Sequence, residues 1–304
     1  MRHALFVVNP AIPHFSYVTR TLLASAVRYG WGAELVLAET VNHGQRVGQR
    51  LHDYLARESR EVGDGLVFAV GGDGTVRACA GWLAGTGTSL AIVPRGAGNL
   101  FALALGIPGS IEAALRVGFS GQDRAVDIAT AEGQVFVAMA GAGIDAAVVG
   151  STPHWMKHHL GWLGYAAAAV PHLARHRSHT VTIRLDSGEP FERHAQAVVV
   201  GNVGILPGNF ELLGGARTND GLLEVGVLEP GNVLGWLAIA RRAVLSGAGG
   251  GGFEQFQARH VEITCGTEMP RQLDGDVIGR AASLSVAVQP SALVVRVPAG
   301  SAAE

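Results

Sequence analysis

The chain has 304 residues, a length that suits two domains of about 150 residues each. Hydrophobic residues make up 48% of the sequence and charged residues 16%, a balance that excludes a disordered or fibrous protein. The formal net charge is −2, so no basic excess is available to neutralise a phosphate backbone. A nucleic-acid binder is therefore excluded.

The first 127 residues alternate short β-branched runs with segments of helical spacing. Strands are predicted over 4–8, 33–38, 66–70 and 90–93. Helices are predicted over 17–29, 44–60, 76–84 and 99–105. This alternation is typical of βαβ units, and it predicts an N-terminal α/β domain with a parallel sheet over residues 1–127.

The remaining residues, 128–304, have a different pattern. Short strand-like runs separated by Gly, Asn and Pro turns predict a β-rich antiparallel sandwich. The predicted strands are 135–140, 180–185, 195–200, 222–228, 260–265 and 293–297. Two helical segments, 160–175 and 233–245, interrupt them.

Two glycine-rich loops follow neighbouring predicted strands of the first domain. GGDGT (71–75) follows the strand over 66–70, and RGAGN (95–99) follows the strand over 90–93. Glycines let a phosphate approach the main chain, and the N-terminus of the helix that comes next favours an anion. Because both loops lie at the carboxyl edge of a parallel sheet, the pair predicts a nucleotide site. Asp73 would repel phosphate, so it is interpreted as an anchor or a magnesium-side acid.

Lys157 is the single lysine among 23 basic residues. It lies in HWMKHHL, with no glycine loop before it. The lysine-dependent phosphate sites of P-loop proteins and protein kinases are therefore excluded.

The order of the motifs resembles that of the diacylglycerol kinase catalytic-domain family, which includes bacterial lipid kinases and sphingosine kinases. The motifs are NP (9–10), GGDGT (71–75), PRGAGN (94–99), GAGID (141–145), NDGLL (219–223) and LDGD (273–276). The resemblance covers nearly the whole chain. It implies a diacylglycerol kinase/NAD kinase-like fold with ATP bound between the two domains. It also implies Mg²⁺-dependent transfer of the γ-phosphoryl group to diacylglycerol or a related lipid.

The resemblance assigns roles to individual residues. The expected nucleotide contacts are Asn9, Thr40, Gly71, Gly72, Asp73, Gly74, Thr75, Val76, Arg77, Gly96 and Asn99. The expected structural magnesium site comprises the carbonyls of Arg217 and Leu222 and the carboxylate of Asp220. The segment 274–276 replaces the DGE motif that supplies the family's base. Asp276, Asp274 and Asp73 are all candidates for that base, and the acidic end of the motif favours Asp276.

Several positions depart from the family pattern. Ala11, Ala97 and Leu100 stand where polar residues are usual, and Ala78 stands where a glutamate is usual. These departures motivate one alternative, a catalytically impaired lipid- or nucleotide-binding relative. A second alternative is an NAD kinase-like enzyme with a soluble substrate, since NAD kinases share the GGDGT loop.

The segment DGD (274–276) also has a simpler interpretation. A D-G pair between two strands is a common hairpin signal, which predicts a type I′ turn with two solvated acids. A base and a turn residue therefore remain alternatives for Asp274 and Asp276.

Partners and location follow from the apolar segments. Tryptophans near basic residues in the predicted helices 160–175 and 233–245 favour a lipid substrate at a membrane surface, with ordinary core helices as the alternative.

No run reaches the length of about 20 apolar residues that a membrane span needs. Two cysteines, Cys79 and Cys265, are too few for a disulfide scaffold. We expect a cytoplasmic protein with peripheral membrane contact, and a homodimer is left open.

Overall fold

The computed structural model describes residues 2–38, 48, 51–56, 65–143, 178–208, 210–229, 235 and 252–300. The chain divides into two compact units. Unit 1 comprises Met1–Ile128 and Pro290–Glu304, and unit 2 comprises Ala129–Gln289. The end of the chain thus returns to unit 1, whereas the sequence analysis placed all of 128–304 in the second domain.

The return of the C-terminal segment has a clear physical cause. Val294 and Val295 pair in parallel with Ser89 and Leu90, and so add a strand to the sheet of unit 1. The apolar run that ends the chain is buried there, which a linear division of the sequence could not show.

A parallel sheet forms the centre of unit 1. Its strands from the first half of the chain are β1 (His3–Val8), β2 (Gly32–Leu37), β3 (Gly65–Gly71) and β4 (Ser89–Pro94). They lie in the order β2-β1-β3-β4, and every pair is parallel. Residues pointing to both faces of β1, β3 and β4 are buried, which explains their continuous apolar runs. The predicted parallel α/β domain is confirmed.

Four helices of unit 1 have defined bounds. They are α1 (Phe15–Arg28), α2 (Asp73–Leu83), α3 (Leu100–Ala104) and α4 (Ile111–Ser120). Residues 51–56 are also helical. Helix α4 was not predicted from the sequence, although Ser110 marks its start: the Ser110 Oγ accepts the N–H of Ala113 at 3.4 Å.

Unit 2 is built from antiparallel strands. They are β6 (Gln134–Phe136), β7 (Met139–Ala142), β8 (His179–Leu185), β9 (Phe191–Ala195), β10 (Ala197–Gly201), β11 (Ile205–Leu206), β12 (Phe210–Glu211), β13 (Leu223–Leu228), β14 (Phe253–Ala258) and β15 (His260–Leu273). Two further strands run across the division between the units: β5 (Gln122–Ala131) and β16 (Asp276–Val297). Each predicted strand overlaps an observed one, although the predicted strand 135–140 is divided between β6 and β7. Strands β5, β9, β11, β12 and β14 were not predicted.

The long strand β15 joins two groups of strands in unit 2. Its first half pairs with β8, which pairs with β9, and its last three residues pair with β7. Strand β7 continues through β10 and β13 to β14. A register shift between Thr264 and Met269 separates the two halves of β15, and buried side chains of both groups form one core. The predicted β-rich sandwich is confirmed.

The two predicted apolar helices, 160–175 and 233–245, lie outside the described residues apart from position 235. Among the helices that are described, none is both long enough and apolar enough to cross a membrane.

Candidate functional site

The carboxyl end of the unit 1 sheet brings three sequence motifs to one edge. In the parallel register Val8 lies beside Val70, and Val70 lies beside Val93. Asn9 and the two glycine loops therefore begin at the same level of the sheet. Crevices at this edge of an open α/β sheet are where ligands bind.

The turn after β1 forms despite its unusual sequence. The Asn9 side-chain oxygen accepts the N–H of Ala11 at 2.9 Å, and the backbone N–H of Asn9 donates to the Val70 carbonyl at 3.0 Å. Asn9 thus closes an Asx turn and ties β1 to β3. The Ala11-Ile12-Pro13 sequence does not prevent this turn.

The two glycine loops approach each other through their main chains. A Cβ on Gly72 would lie 3.0 Å from the Cα of Gly96, closer than side chains normally allow. The N–H of Arg95 donates to the Gly71 carbonyl at 2.7 Å, which fixes the loops side by side. Glycine is required here because the backbones must meet without side chains between them.

Asp73 links the first loop to the helix that follows the second loop. Its Oδ1 accepts the N–H of Phe101 at 3.2 Å, in the first turn of α3. Burial raises the pKa of the Asp73 carboxyl above its ordinary value of 3.8, and backbone N–H groups of Leu100, Phe101 and Asn99 oppose the rise. The side chain is half-buried and makes the contacts of an anchor, one of the two roles given to it from the sequence.

Asn99 shapes the second loop from within. Its side-chain oxygen accepts the N–H of Gly96 at 2.8 Å, and its side-chain nitrogen donates to the Gly96 carbonyl at 2.8 Å. Asn99 has a φ of 51°, in the left-handed region that Asn tolerates better than most residues. This reciprocal pair closes the loop although Ala97 supplies no hydroxyl.

The remaining predicted contacts of the first loop differ in accessibility. The N–H groups of Thr75 and Val76 both donate to the Gly72 carbonyl, and both residues are buried. Arg77 is half-buried. A ligand can therefore reach the loop mainly at Gly72–Gly74. The Thr75 side chain packs against Gly71, because a Cβ on Gly71 would overlap it. Thr40 lies outside the described residues.

In unit 2 the segment 274–276 forms the tight hairpin between β15 and β16. Leu273 pairs with Asp276, and Asp274 and Gly275 between them have φ values of 50° and 88°. Positive φ at both central residues is the requirement of a type I′ turn, so the predicted turn is present. The two acids are not equivalent, because Asp276 is exposed and Asp274 is half-buried.

The Asp274 carboxylate accepts three backbone hydrogen bonds from a single segment. Its Oδ1 accepts the N–H groups of Ala138 at 2.8 Å and Met139 at 3.0 Å, and its Oδ2 accepts that of Val137 at 3.1 Å. The N–H of Asp274 donates in turn to the Met139 carbonyl at 2.8 Å. The interpretation of Asp274 as a solvated turn acid is therefore wrong. The Asp274 carboxylate links the hairpin to the start of β7 through these hydrogen bonds.

Asn202 holds the same segment from the other side and was missed by the sequence analysis. It is buried, its side-chain nitrogen donates to the Val137 carbonyl at 3.0 Å, and its backbone N–H donates to the Ala138 carbonyl at 2.8 Å. The signal available in the sequence was an asparagine in the segment GNVG (201–204), directly after the apolar run 197–200.

The predicted magnesium residues lie in the loop before β13. The Asp220 Oδ1 accepts the N–H of Leu222 at 3.0 Å, and the Asp220 side chain is exposed. One carboxylate and the carbonyls of Arg217 and Leu222 are all oxygen donors, which suits Mg²⁺ in kind. Within the described ranges no three His, Cys, Asp or Glu side chains come together as a metal site.

Family models match both halves of the chain. The diacylglycerol kinase catalytic domain matches residues 3–131. The domain described as YegS C-terminal NAD kinase beta sandwich-like matches residues 138–297.

Curated bacterial relatives match over most of the chain. A Pseudomonas putida protein named probable lipid kinase YegS-like is 33% identical over 250 residues, 81% of this chain and 82% of that protein. A Pseudomonas syringae pv. tomato protein of the same name is 31% identical, with 93% and 89% covered. An uncharacterized Synechocystis protein, sll0036, is 29% identical over 73% of this chain, which spans about half (52%) of that protein's length.

Solved structures share the fold at lower sequence identity. A diacylglycerol kinase from Bacillus anthracis superposes with a TM-score of 0.77 at 20% identity, covering 97% of both chains. An NAD kinase from Archaeoglobus fulgidus, solved in complex with ATP, has a TM-score of 0.52 at 12% identity, covering 96% of this chain and 93% of its own. The predicted diacylglycerol kinase/NAD kinase-like fold is confirmed.

Proposed function

Because the chain belongs to the YegS-like lipid kinase family and carries its diacylglycerol kinase catalytic domain, we propose that it transfers the γ-phosphoryl group of ATP to a lipid hydroxyl. Membership of a phosphotransferase family is established by the match of both domains. The nucleotide, the metal and the lipid acceptor are the parts that we propose.

The observation that carries the proposal is the close contact of the two glycine loops at the carboxyl edge of the unit 1 sheet. Gly72 and Gly96 meet backbone to backbone, and the exposed Gly96 and Ala97 present main chain without bulky side chains. A polyphosphate can approach such a surface closely. The first turn of α2 adds the N–H groups that a helix N-terminus cannot bond internally. ATP therefore fits the residues present.

Asp276 is the residue that we propose as the general base. It is exposed, whereas the carboxylate of Asp274 is engaged by three backbone N–H groups. As the lipid oxygen forms its bond to the γ-phosphorus, the bond between that phosphorus and the bridging oxygen breaks and ADP leaves. The Asp276 carboxylate accepts the proton of the attacking hydroxyl.

Magnesium is part of the proposal in two places. Bound with ATP, a magnesium ion neutralises charge on the phosphates. A second ion would be held by Asp220 and the carbonyls of Arg217 and Leu222, whose oxygen donors suit Mg²⁺. This chain's own contribution there is a preformed Asx turn at Asp220.

The acceptor is proposed to be diacylglycerol or a related lipid, reached by peripheral contact with a membrane from the cytoplasm. The names of the Pseudomonas relatives support a lipid over a soluble acceptor. The tryptophan-bearing segments that favoured a lipid lie outside the described residues, so support for the acceptor comes from the family.

The test is a transfer assay with the purified full chain, Mg²⁺ and [γ-³²P]ATP. Mixed micelles supply diacylglycerol, monoacylglycerol, sphingosine or phosphatidylglycerol, and NAD serves as a soluble acceptor. We expect label in one lipid and none in NAD. Label in NAD alone would favour the NAD kinase alternative, and ATP binding without transfer to any acceptor would favour the impaired relative. Either result contradicts the proposed function.

A further inference from the structure

Arg95 has a side-chain nitrogen that the protein itself does not satisfy. The residue follows β4 directly, and its backbone is fixed beside the first glycine loop by the hydrogen bond to the Gly71 carbonyl. The side chain is half-buried, its Nε is buried, and no acceptor among the described residues binds that Nε. A buried donor without an acceptor is costly, so such a group in a native protein calls for an acceptor from elsewhere.

Two other arginines of unit 1, Arg77 and Arg296, already make interactions within the protein. The single lysine, Lys157, lies outside the described residues. Arg77 on α2 already makes an interaction within the protein. Arg296 forms an ion pair with Asp123 at 3.0 Å, and its Nη1 donates to the Gly121 carbonyl at 2.9 Å. Arg95 therefore combines a place at the start of the second loop, hydrogen-bonded to the first loop, with an Nε that has no partner among the described residues.

The chemistry of the guanidinium identifies the acceptor. Nε and one Nη form a planar fork whose spacing matches two oxygens of a phosphate, and guanidinium is more weakly hydrated than ammonium. We propose that Arg95 binds the phosphate chain of a nucleoside di- or triphosphate, supplying the positive charge that P-loop proteins take from lysine. This inference rests on the proposed ATP site.

Equilibrium binding of ATP, ADP and adenosine by calorimetry tests the inference, using Arg95→Gln, Arg95→Lys and, as a matched control, Arg116→Gln on the exposed face of α4. We expect Arg95→Gln to weaken ATP and ADP binding by about 10- to 100-fold, the scale of a charge-assisted hydrogen bond. Adenosine binding should be unchanged. Arg95→Lys should recover only part of the affinity because lysine lacks the fork. The control should bind like wild type.

The outcomes separate this inference from the proposed function. Wild-type affinity of Arg95→Gln for ATP would overturn the role of Arg95 and leave the proposed ATP site intact. An equal loss of ATP and adenosine binding would also overturn it, since Arg95 would then shape the loop. Failure of the wild-type chain to bind ATP would instead overturn the proposed function. Thermal unfolding without nucleotide checks that Arg95→Gln is folded.

Discussion

Two regions of the molecule use an aspartate to hold a neighbouring loop, and they do so to different degrees. In the glycine-loop region, the Asp73 Oδ1 accepts the N–H of Phe101 at 3.2 Å, and burial raises the pKa of the Asp73 carboxyl. In the hairpin region, the Asp274 carboxylate accepts three hydrogen bonds of 2.8–3.1 Å. A carboxylate whose oxygens are all engaged is a structural anchor. This difference supports the proposal that the exposed neighbour, Asp276, is the base.

The largest effect is expected for Asp276→Asn. If Asp276 accepts the proton of the lipid hydroxyl, this substitution should lower turnover by about two to four orders of magnitude. ATP affinity should change little, because the base does not touch the nucleotide. Turnover and ATP binding measured on the same preparation check this, and a fully active variant would remove Asp276 from the mechanism.

A smaller loss of activity is expected for Asp73→Asn. The substitution removes the charge of a candidate magnesium-side acid and weakens the link between the first loop and α3, so we expect phosphoryl transfer to fall by about 100-fold, the lower end of the range for Asp276→Asn. The fold should be retained, because the amide oxygen still accepts the Phe101 N–H. Near-normal turnover with an unchanged melting temperature would contradict the assigned role.

Asp274→Asn should lower the free energy of unfolding. The amide can keep two of the three hydrogen bonds, but its NH₂ group would then face the N–H of one partner, leaving a donor unsatisfied. We expect the free energy of unfolding to fall by about 1–3 kcal/mol in urea titrations. Asp276→Asn is the matched control, since it removes the same charge from an exposed position and should stay within about 0.5 kcal/mol of wild type. Equal stability of the two variants would argue against the anchor.

The smallest effect is a pH dependence of stability that arises from Asp73. Because its pKa is raised on folding, the unfolded chain loses this proton first as the pH rises above 3.8. The contribution of Asp73 to stability therefore falls across the window between 3.8 and the raised pKa. The Asp73→Asn variant has no carboxyl to titrate at this position. The free energy of unfolding of the variant minus that of wild type should therefore increase with pH in that window and then level off. Urea unfolding from pH 4 to 7 measures the difference, and a difference that is constant or decreases would contradict the raised pKa.

The sequence by itself determined the two-part architecture and the motif residues. Continuous apolar runs such as β1 and β3 predicted buried parallel strands, and turn chemistry predicted the D-G hairpin, because both patterns reflect local backbone and burial preferences. The glycines at 71–72 and 96 predicted a phosphate site because glycine lets a ligand approach the backbone closely. The strand β9 was not predicted because its sequence, FERHA, is largely polar. Its pairing with β8 defines it as a strand.

The contacts of Asp73 and Asp274 were decided by tertiary structure. Asp274 lies 135–137 residues from the N–H groups that it accepts, and Asp73 lies 28 residues from Phe101. No local pattern encodes which of two acids in DGD becomes engaged, because that depends on where the 137–139 segment is placed by Asn202 and β7. The return of residues 290–304 to unit 1 has the same cause: strand pairing over long separations is fixed by burial in the assembled core.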